Sequence, residues 1–204
     1  FNMHYYSTGE EVENVTSVGF IFYPKGYVPK HVVITQHMAE TADLDVPAGT
    51  ISRVDGYIQL SQNAQIVMIQ PHMHSRGKRQ CFEAIIPQTT GDVSRGNGSQ
   101  TKRITFNCIN YDMSWNFAHT YKEEYAPVLP KGTIIHIMSW YDNTQSKFNP
   151  DSKNWVGNGP RSVDIMSYQW HSYFYLTDEE YAQKVKERAA RGVLGVATTT
   201  QNQQ

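Results

Sequence analysis

The sequence predicts an all-β protein: an antiparallel, jelly-roll-like β-sandwich with a short C-terminal helix and tail. Three observations carry this. Aromatic residues make up 12% of the 204 residues, with 13 Tyr, and Gly, Pro, Asn and Thr punctuate the chain throughout. Short strands with frequent turns fit that composition better than helices do. Runs such as 133–141 (TIIHIMSWY) are strongly β-prone, and only from residue 177 does the chain change character towards a helix. Charge is balanced at 18 basic against 19 acidic residues, so no basic stripe points to nucleic acid and no acidic tail to a solvating arm. No apolar run approaches the roughly 18 residues of a membrane span.

The elements follow in order. Residues 15–23 (VTSVGFIFY) read as a strand closed by Pro24 and Gly26, and 28–35 as the next. A loop through Pro47, Ala48 and Gly49 precedes a strand over 50–60, with Ile51, Val54, Tyr57, Ile58 and Leu60 as its inward set. Residues 64–69 form a buried strand that leads into Pro71-His72-Met73-His74. A strand over 81–86 and a polar turn over 89–100 come next. Residues 102–108 and 115–121 read as a strand pair around Asn110 to Asp112, and 133–141 as a further strand. The region 142–160 lacks periodicity, and loops of that length usually have a functional or covering role. Residues 162–176 are the last strand. Thr177-Asp178-Glu179-Glu180 is a capping box. The helix it opens should stop at Gly192. Its thin apolar face (Tyr181, Ala182, Val185, Ala189) predicts weak docking, or docking on a partner. Residues 197–204 are expected to be disordered. The division is therefore a sandwich over 1–176 and a helical tail over 177–204.

Chemistry concentrates at His72 and His74. Residues two apart in a strand share a face, about 6.6 Å apart, so both imidazoles can converge on one ion while Met73 faces away. Two imidazoles suit copper, zinc, iron or nickel, and a thioether beside them favours Cu(I). Met166, which opens the last strand, is the methionine that stands out; its alternative role is core filler. His31 and His37 read as solvent-facing, and His119, His136 and His171 as half-buried, satisfied histidines. Cys81 and Cys108 form one disulfide or remain two buried thiols. No nucleophile-elbow motif, phosphate-binding glycine loop or distinctive carboxylate pair occurs.

The order of motifs resembles the C-terminal domain of the copper type II, ascorbate-dependent monooxygenases, the group of peptidylglycine α-hydroxylating monooxygenase and dopamine β-monooxygenase, and its bacterial relatives. The matching pieces are Met3-His4-Tyr5 with Thr16-Ser17-Val18-Gly19, then Pro71-His72-Met73-His74-Ser75-Arg76-Gly77-Lys78. Tyr111-Asp112-Met113-Ser114-Trp115 and Leu129-Pro130-Lys131-Gly132-Thr133 follow. Tyr141-Asp142-Asn143, Trp155-Val156-Gly157 and Asp164-Ile165-Met166 complete the order. The likeness runs over about the first 175 residues.

The resemblance implies that His72, His74 and Met166 ligate the oxygen-activating copper, and that His4 is a remnant ligand of a second, electron-transferring copper. The other ligands of that second ion are a histidine pair, and no adjacent His-His occurs here. It implies one complete copper site, C–H hydroxylation with an ascorbate-type reductant, and completion by an upstream domain or another subunit that carries the pair. The abrupt start at Phe1-Asn2-Met3 fits an internal segment of something longer. An extracytoplasmic, periplasmic or secreted location is expected. Ile165 stands where the family has an acidic residue, which removes a possible second hydrogen-bonding partner at the site. The alternative function is a non-catalytic accessory subunit of an extracytoplasmic or membrane-associated assembly that reuses the sandwich. A storage module would need only His72 and His74.

Overall fold

The computed structural model describes residues 5, 8–38, 44–88, 100–112, 117–146 and 153–192. The chain falls into two units, Phe1–Lys30 and His31–Gln204. In the first, the described residues contain no strand. The segment 15–23, expected as a strand, is instead irregular and exposed, with Val15, Ile21 and Phe22 at least 84% exposed. Its residues favour β-structure, but that preference needs a ladder partner and a packed face. Its one ordered turn is closed by Tyr27 N–H donating to the Pro24 carbonyl at 3.1 Å, with the Tyr23 and Tyr27 rings stacked at 4.3 Å.

The second unit is an antiparallel β-sandwich with one C-terminal helix. Its strands are β1 (Ile34–Met38), β2 (Asp45–Val46), β3 (Ile51–Gln59), β4 (Ala64–Met73), β5 (Gly77–Gln88) and β6 (Gln100–Asn110). These are followed by β7 (His119–Thr120), β8 (Val128–Leu129), β9 (Ile134–Asp142), β10 (Val156–Gly157), β11 (Ser167–Tyr175) and the helix α1 (Asp178–Ala190). One sheet has the order β1-β11-β4-β7, with β8 also on β4, and the other has the order β3-β9-β5-β6. A short β2–β10 ribbon stands apart from both. Ile66 and Ile69 of the first sheet and Phe82, Ala84, Ile86, Ile135 and Ile137 of the second make the shared core. Strict alternation on β5 and β9 puts those residues on one face, as a period of two requires.

Several expectations change. Ile51 is 70% exposed and Tyr57 62%, so Val54, Gly56 and Ile58 form the inward face of β3. The segments 102–108 and 115–121 do not pair with each other. β6 pairs with β5, and β7 pairs with β4 in the other sheet. Cys81 and Cys108 stand directly opposite each other in the β5–β6 ladder and are joined as a disulfide. The capping box forms as read, with Glu180 N–H donating to Thr177 Oγ1 at 3.2 Å and Thr177 N–H to Glu180 Oε2 at 3.0 Å.

The helix docks on its own sandwich. Tyr181 and Val185 pack with Val128, Phe174 and Leu176. The buried Arg188 donates to the carbonyls of Ala126 and Glu123, while Lys184 Nζ meets Glu123 Oε1 at 2.6 Å. The thin apolar stripe did not reveal this docking because cationic side chains make half of it, a contribution that apolar patterning does not count.

Candidate metal centre

The candidate ligands meet at one end of the β4–β11 ladder. The register pairs Tyr168 with His72 and Ser167 with Met73. Met166 is therefore one step beyond the ladder, across from His74. Alternation assigns His72, His74, Tyr168 and Met166 to the outer face and Met73 and Ser167 to the inner one. The rings agree: His72 and His74 lie edge to face with centroids 5.3 Å apart, and Met73 packs inward with Leu44, Val46, Tyr141 and Ile165.

Local structure holds this edge. β4 leaves its sheet through the turn Ser75–Arg76 and re-enters the other sheet as β5 at Gly77. A Cβ on Gly77 would come within 2.7 Å of Met73 Cβ and 3.0 Å of the His74 carbonyl, so no larger residue fits. Gly77 N–H donates to that carbonyl at 2.7 Å. The turn is tied to the segment before Met166. Ser75 N–H donates to the Ser162 carbonyl at 3.3 Å, and the Arg76 guanidinium donates to the Val163 carbonyl. Arg76 Nε also donates to Asn143 Oδ1 at 2.9 Å, and the buried Asn143 amide reaches the Val46 and Asn154 carbonyls.

Beneath the ligands, side chains cross the sandwich. His72 N–H donates to Gln80 Oε1 at 3.2 Å, and Gln80 Nε2 donates to Ser139 Oγ at 2.9 Å. Ser139 Oγ lies 2.8 Å from Ser167 Oγ. Tyr141 Oη donates to the Met166 carbonyl at 2.8 Å, and burial pushes this phenol's pKa up, keeping it a donor.

Ile165 is fully buried among Leu44, Val46, Met73 and Tyr141 and belongs to the core. The carboxylate near the pair is Asp164. Hydrogen bonds from Arg161 hold it below the usual carboxylate range, with a smaller contribution from the charge of His74. Gly159 makes room for it: a Cβ there would lie 2.3 Å from Asp164 Oδ2.

An aromatic wall adjoins His72. Trp170 is 5.5 Å from it, Tyr168 stacks 5.7 Å from Trp170, and His37 stands edge-on to both at 5.2–5.3 Å. The donor set, two imidazoles with a thioether at one edge, fits a soft ion such as Cu(I). His4 lies outside the described residues. Among the described residues no group of three or more His, Cys, Asp or Glu is placed to hold a metal ion.

The other histidines divide. His37 is exposed on edge strand β1, as read. His31 is half-buried, stacked 4.5 Å from Phe174 and 3.3 Å from Glu180. His171 is fully buried, and burial lowers its pKa to about 4. His136 carries an arrangement that reading along the chain missed. Its Nδ1 lies 2.7 Å from Glu83 Oε1 and its Nε2 2.6 Å from Asp55 Oδ1, with Tyr57 stacked on the ring at 4.4 Å. Each ring nitrogen is thus engaged by a carboxyl oxygen, and the ring bridges three strands. Burial alone would raise the Asp55 carboxyl, but hydrogen bonds from Arg53 and His136 outweigh it and hold it low. The three residues come from β3, β5 and β9, so only the register could have found them.

No helix among the described residues is long and apolar enough to cross a membrane. No protein-family model and no curated protein matches the chain.

Proposed function

We propose that His72, His74 and Met166 hold one copper ion and that the chain is the oxygen-site half of an ascorbate-dependent copper monooxygenase that hydroxylates C–H bonds. The observation that supports this is the β4–β11 register, which pairs Tyr168 with His72 and Ser167 with Met73, so that continuing it by one residue would set Met166 across from His74, whose ring lies 5.3 Å from that of His72. Bound there, copper would supply oxygen activation and the oxidising power for C–H cleavage. The chain's own groups supply the rest. Gln80 anchors the His72 backbone, Tyr141 anchors that of Met166, and the Ser75–Arg76 turn fixes the spacing between them. Asp164 stays ionised beside His74 and favours the cationic centre.

The electron-transfer half, with His4 as one ligand, needs a histidine pair from a further domain or subunit, because the 204 residues contain no adjacent His-His. The Cys81–Cys108 disulfide supports an extracytoplasmic setting. A second reading, an accessory subunit without turnover, draws on the exposed apolar side chains of residues 12–28, which a partner would cover.

Metal analysis with X-ray absorption on the reduced protein tests the first reading. One copper per chain is expected, with a Cu–S contribution that disappears in Met166→Ala and weaker binding in His72→Ala. A wild-type protein that takes up no copper would overturn it.

A further inference from the structure

The first half of β11 is turned inside out. Over residues 167–171 the buried side chains are Ser167, Gln169 and His171, while Tyr168 and Trp170 between them are half-buried on the outer face; Ser172 and Tyr173 are buried further along. A strand facing a sandwich core normally does the reverse. Ser167 has its partner in Ser139. Gln169 and His171 have none: both are 0% exposed, and neither the Gln169 amide oxygen and nitrogen nor either ring nitrogen of His171 makes a hydrogen bond.

Their neighbours do not supply one. The ladder sets Pro71 opposite Gln169, and Ile69 and Gln36 opposite His171. The Gln36 side-chain oxygen already accepts from Tyr173 Oη at 2.8 Å. The Gln36 backbone opposes the lowering of the imidazole pKa by burial, yet neither ring nitrogen meets a partner at normal hydrogen-bond geometry. Four unpartnered polar atoms on two neighbouring inward side chains of one strand call for a partner, since most buried polar groups in native structures have one.

The two groups are complementary to one kind of ligand. A neutral imidazole offers one donor and one acceptor, and the amide offers two donors and an acceptor oxygen. They lie on one face about 6.6 Å apart, a gap that a molecule donating and accepting at once can bridge. An ion would have to shed its hydration among neutral groups. We infer that Gln169 and His171 form an internal hydration site between the two sheets, holding at least one ordered water that bridges the amide and the imidazole. The site also explains the register. A slip of one residue would turn Tyr168 and Trp170 inward and carry Met166 off the face it shares with His74. Water on the inner polar face removes the penalty that would otherwise favour that slip. The inference holds whether or not copper binds.

Water-to-protein NOE and ROE spectra of the isotope-labelled full chain test it. Cross-peaks with the sign of long-lived water are expected at the Gln169 side-chain NH₂ and the His171 ring protons. Gln169→Leu should abolish the peaks at His171, and oxygen-17 relaxation dispersion should then count at least one long-lived water fewer. Ser167→Ala and Tyr173→Phe, which remove neighbouring hydroxyls, should leave the peaks in place and exclude relay through those protons. Absence of the peaks in the folded wild-type chain would overturn the site. So would His171 peaks that survive Gln169→Leu, since the two residues would then share no water. The wild-type spectrum decides even if a variant fails to fold.

Discussion

The two sheets treat their histidines in opposite ways. On the β3-β9-β5-β6 sheet, His136 has both ring nitrogens engaged by carboxylates, at 2.7 and 2.6 Å. On the β1-β11-β4-β7 sheet, His72 and His74 face each other beside Trp170 and across from a methionine. With both ring nitrogens engaged by carboxyl oxygens, His136 offers neither to a metal. His136 is a structural bridge, whereas the His72 and His74 edge gathers neutral, soft donors of the kind a copper ion takes. A histidine's role here follows from what its sheet face puts next to it, and not from its own strand.

The largest expected effect tests the structural side of that contrast. His136→Leu leaves Glu83 and Asp55 without the group between them, and removing one partner of a buried charge cluster costs about 3 kcal/mol or more. Arg53 beside Asp55 and Arg103, 3.9 Å from Glu83, put the loss near the lower end. Urea denaturation would measure it. Copper content should stay at the wild-type level, and a fall in copper would break the separation of the two sheets.

The second effect is a pH dependence that belongs to His171. Burial lowers its pKa from 6.5 to about 4, so between these values the unfolded chain binds a proton that the folded chain does not. Stability is complete above about pH 6.5 and falls as the pH drops towards 4, by up to about 1.4 kcal/mol per pH unit. Asp55, Asp142, Asp164 and Glu123, whose pKa values are lowered, lose their contributions only as pH falls through the carboxylate range below that window. Denaturation midpoints between pH 4 and 7 should show the slope in wild type, and His171→Leu should flatten it.

Much of this was legible along the chain, and the reason is locality. The His-x-His pair sits on one strand, the capping box within four residues, and the β9 run in one unbroken β-prone stretch, so a periodicity argument reaches them. Pairing is not local. Residues 15–23 carry the same β-prone composition as β9 yet form no strand among the described residues, because composition cannot say whether a partner stands alongside. Glu83, His136 and Asp55 lie on three strands and converge only through the register. The inversion of β11 was hidden for a different reason. Its alternation is plain in SYQWHSYFY, but a rule that sends aromatic residues inward assigns the faces of residues 167–171 the wrong way round, while it holds for Tyr173.

Gly77→Ala examines the turn between the sheets. The added carbon would meet Met73 Cβ at 2.7 Å in a buried site, and overpacking of this kind costs about 1–3 kcal/mol. Because the same turn carries His74, copper affinity should fall together with stability, the reverse of the pattern expected for His136→Leu. Isothermal titration with Cu(I) beside a denaturation curve separates the two. Unchanged affinity would mean that the turn does not position His74.

The smallest effect asks whether the copper edge depends on the opposite sheet at all. Tyr141 belongs to β9, yet its hydroxyl donates to the Met166 carbonyl, while its ring is fully buried in the small core with Met73 and Ile165. Tyr141→Phe keeps the ring and removes only the hydrogen bond, at a cost of about 1 kcal/mol. If that bond sets where Met166 begins its strand, the Cu–S contribution to the reduced X-ray absorption spectrum should weaken and Cu(I) affinity should drop by about tenfold or less, since 1.4 kcal/mol is a factor of ten. An unchanged Cu–S signal with the same loss of stability would show that the β4–β11 register alone seats the thioether. The two sheets would then be coupled through the His72–Gln80–Ser139–Ser167 chain and not through the tyrosine.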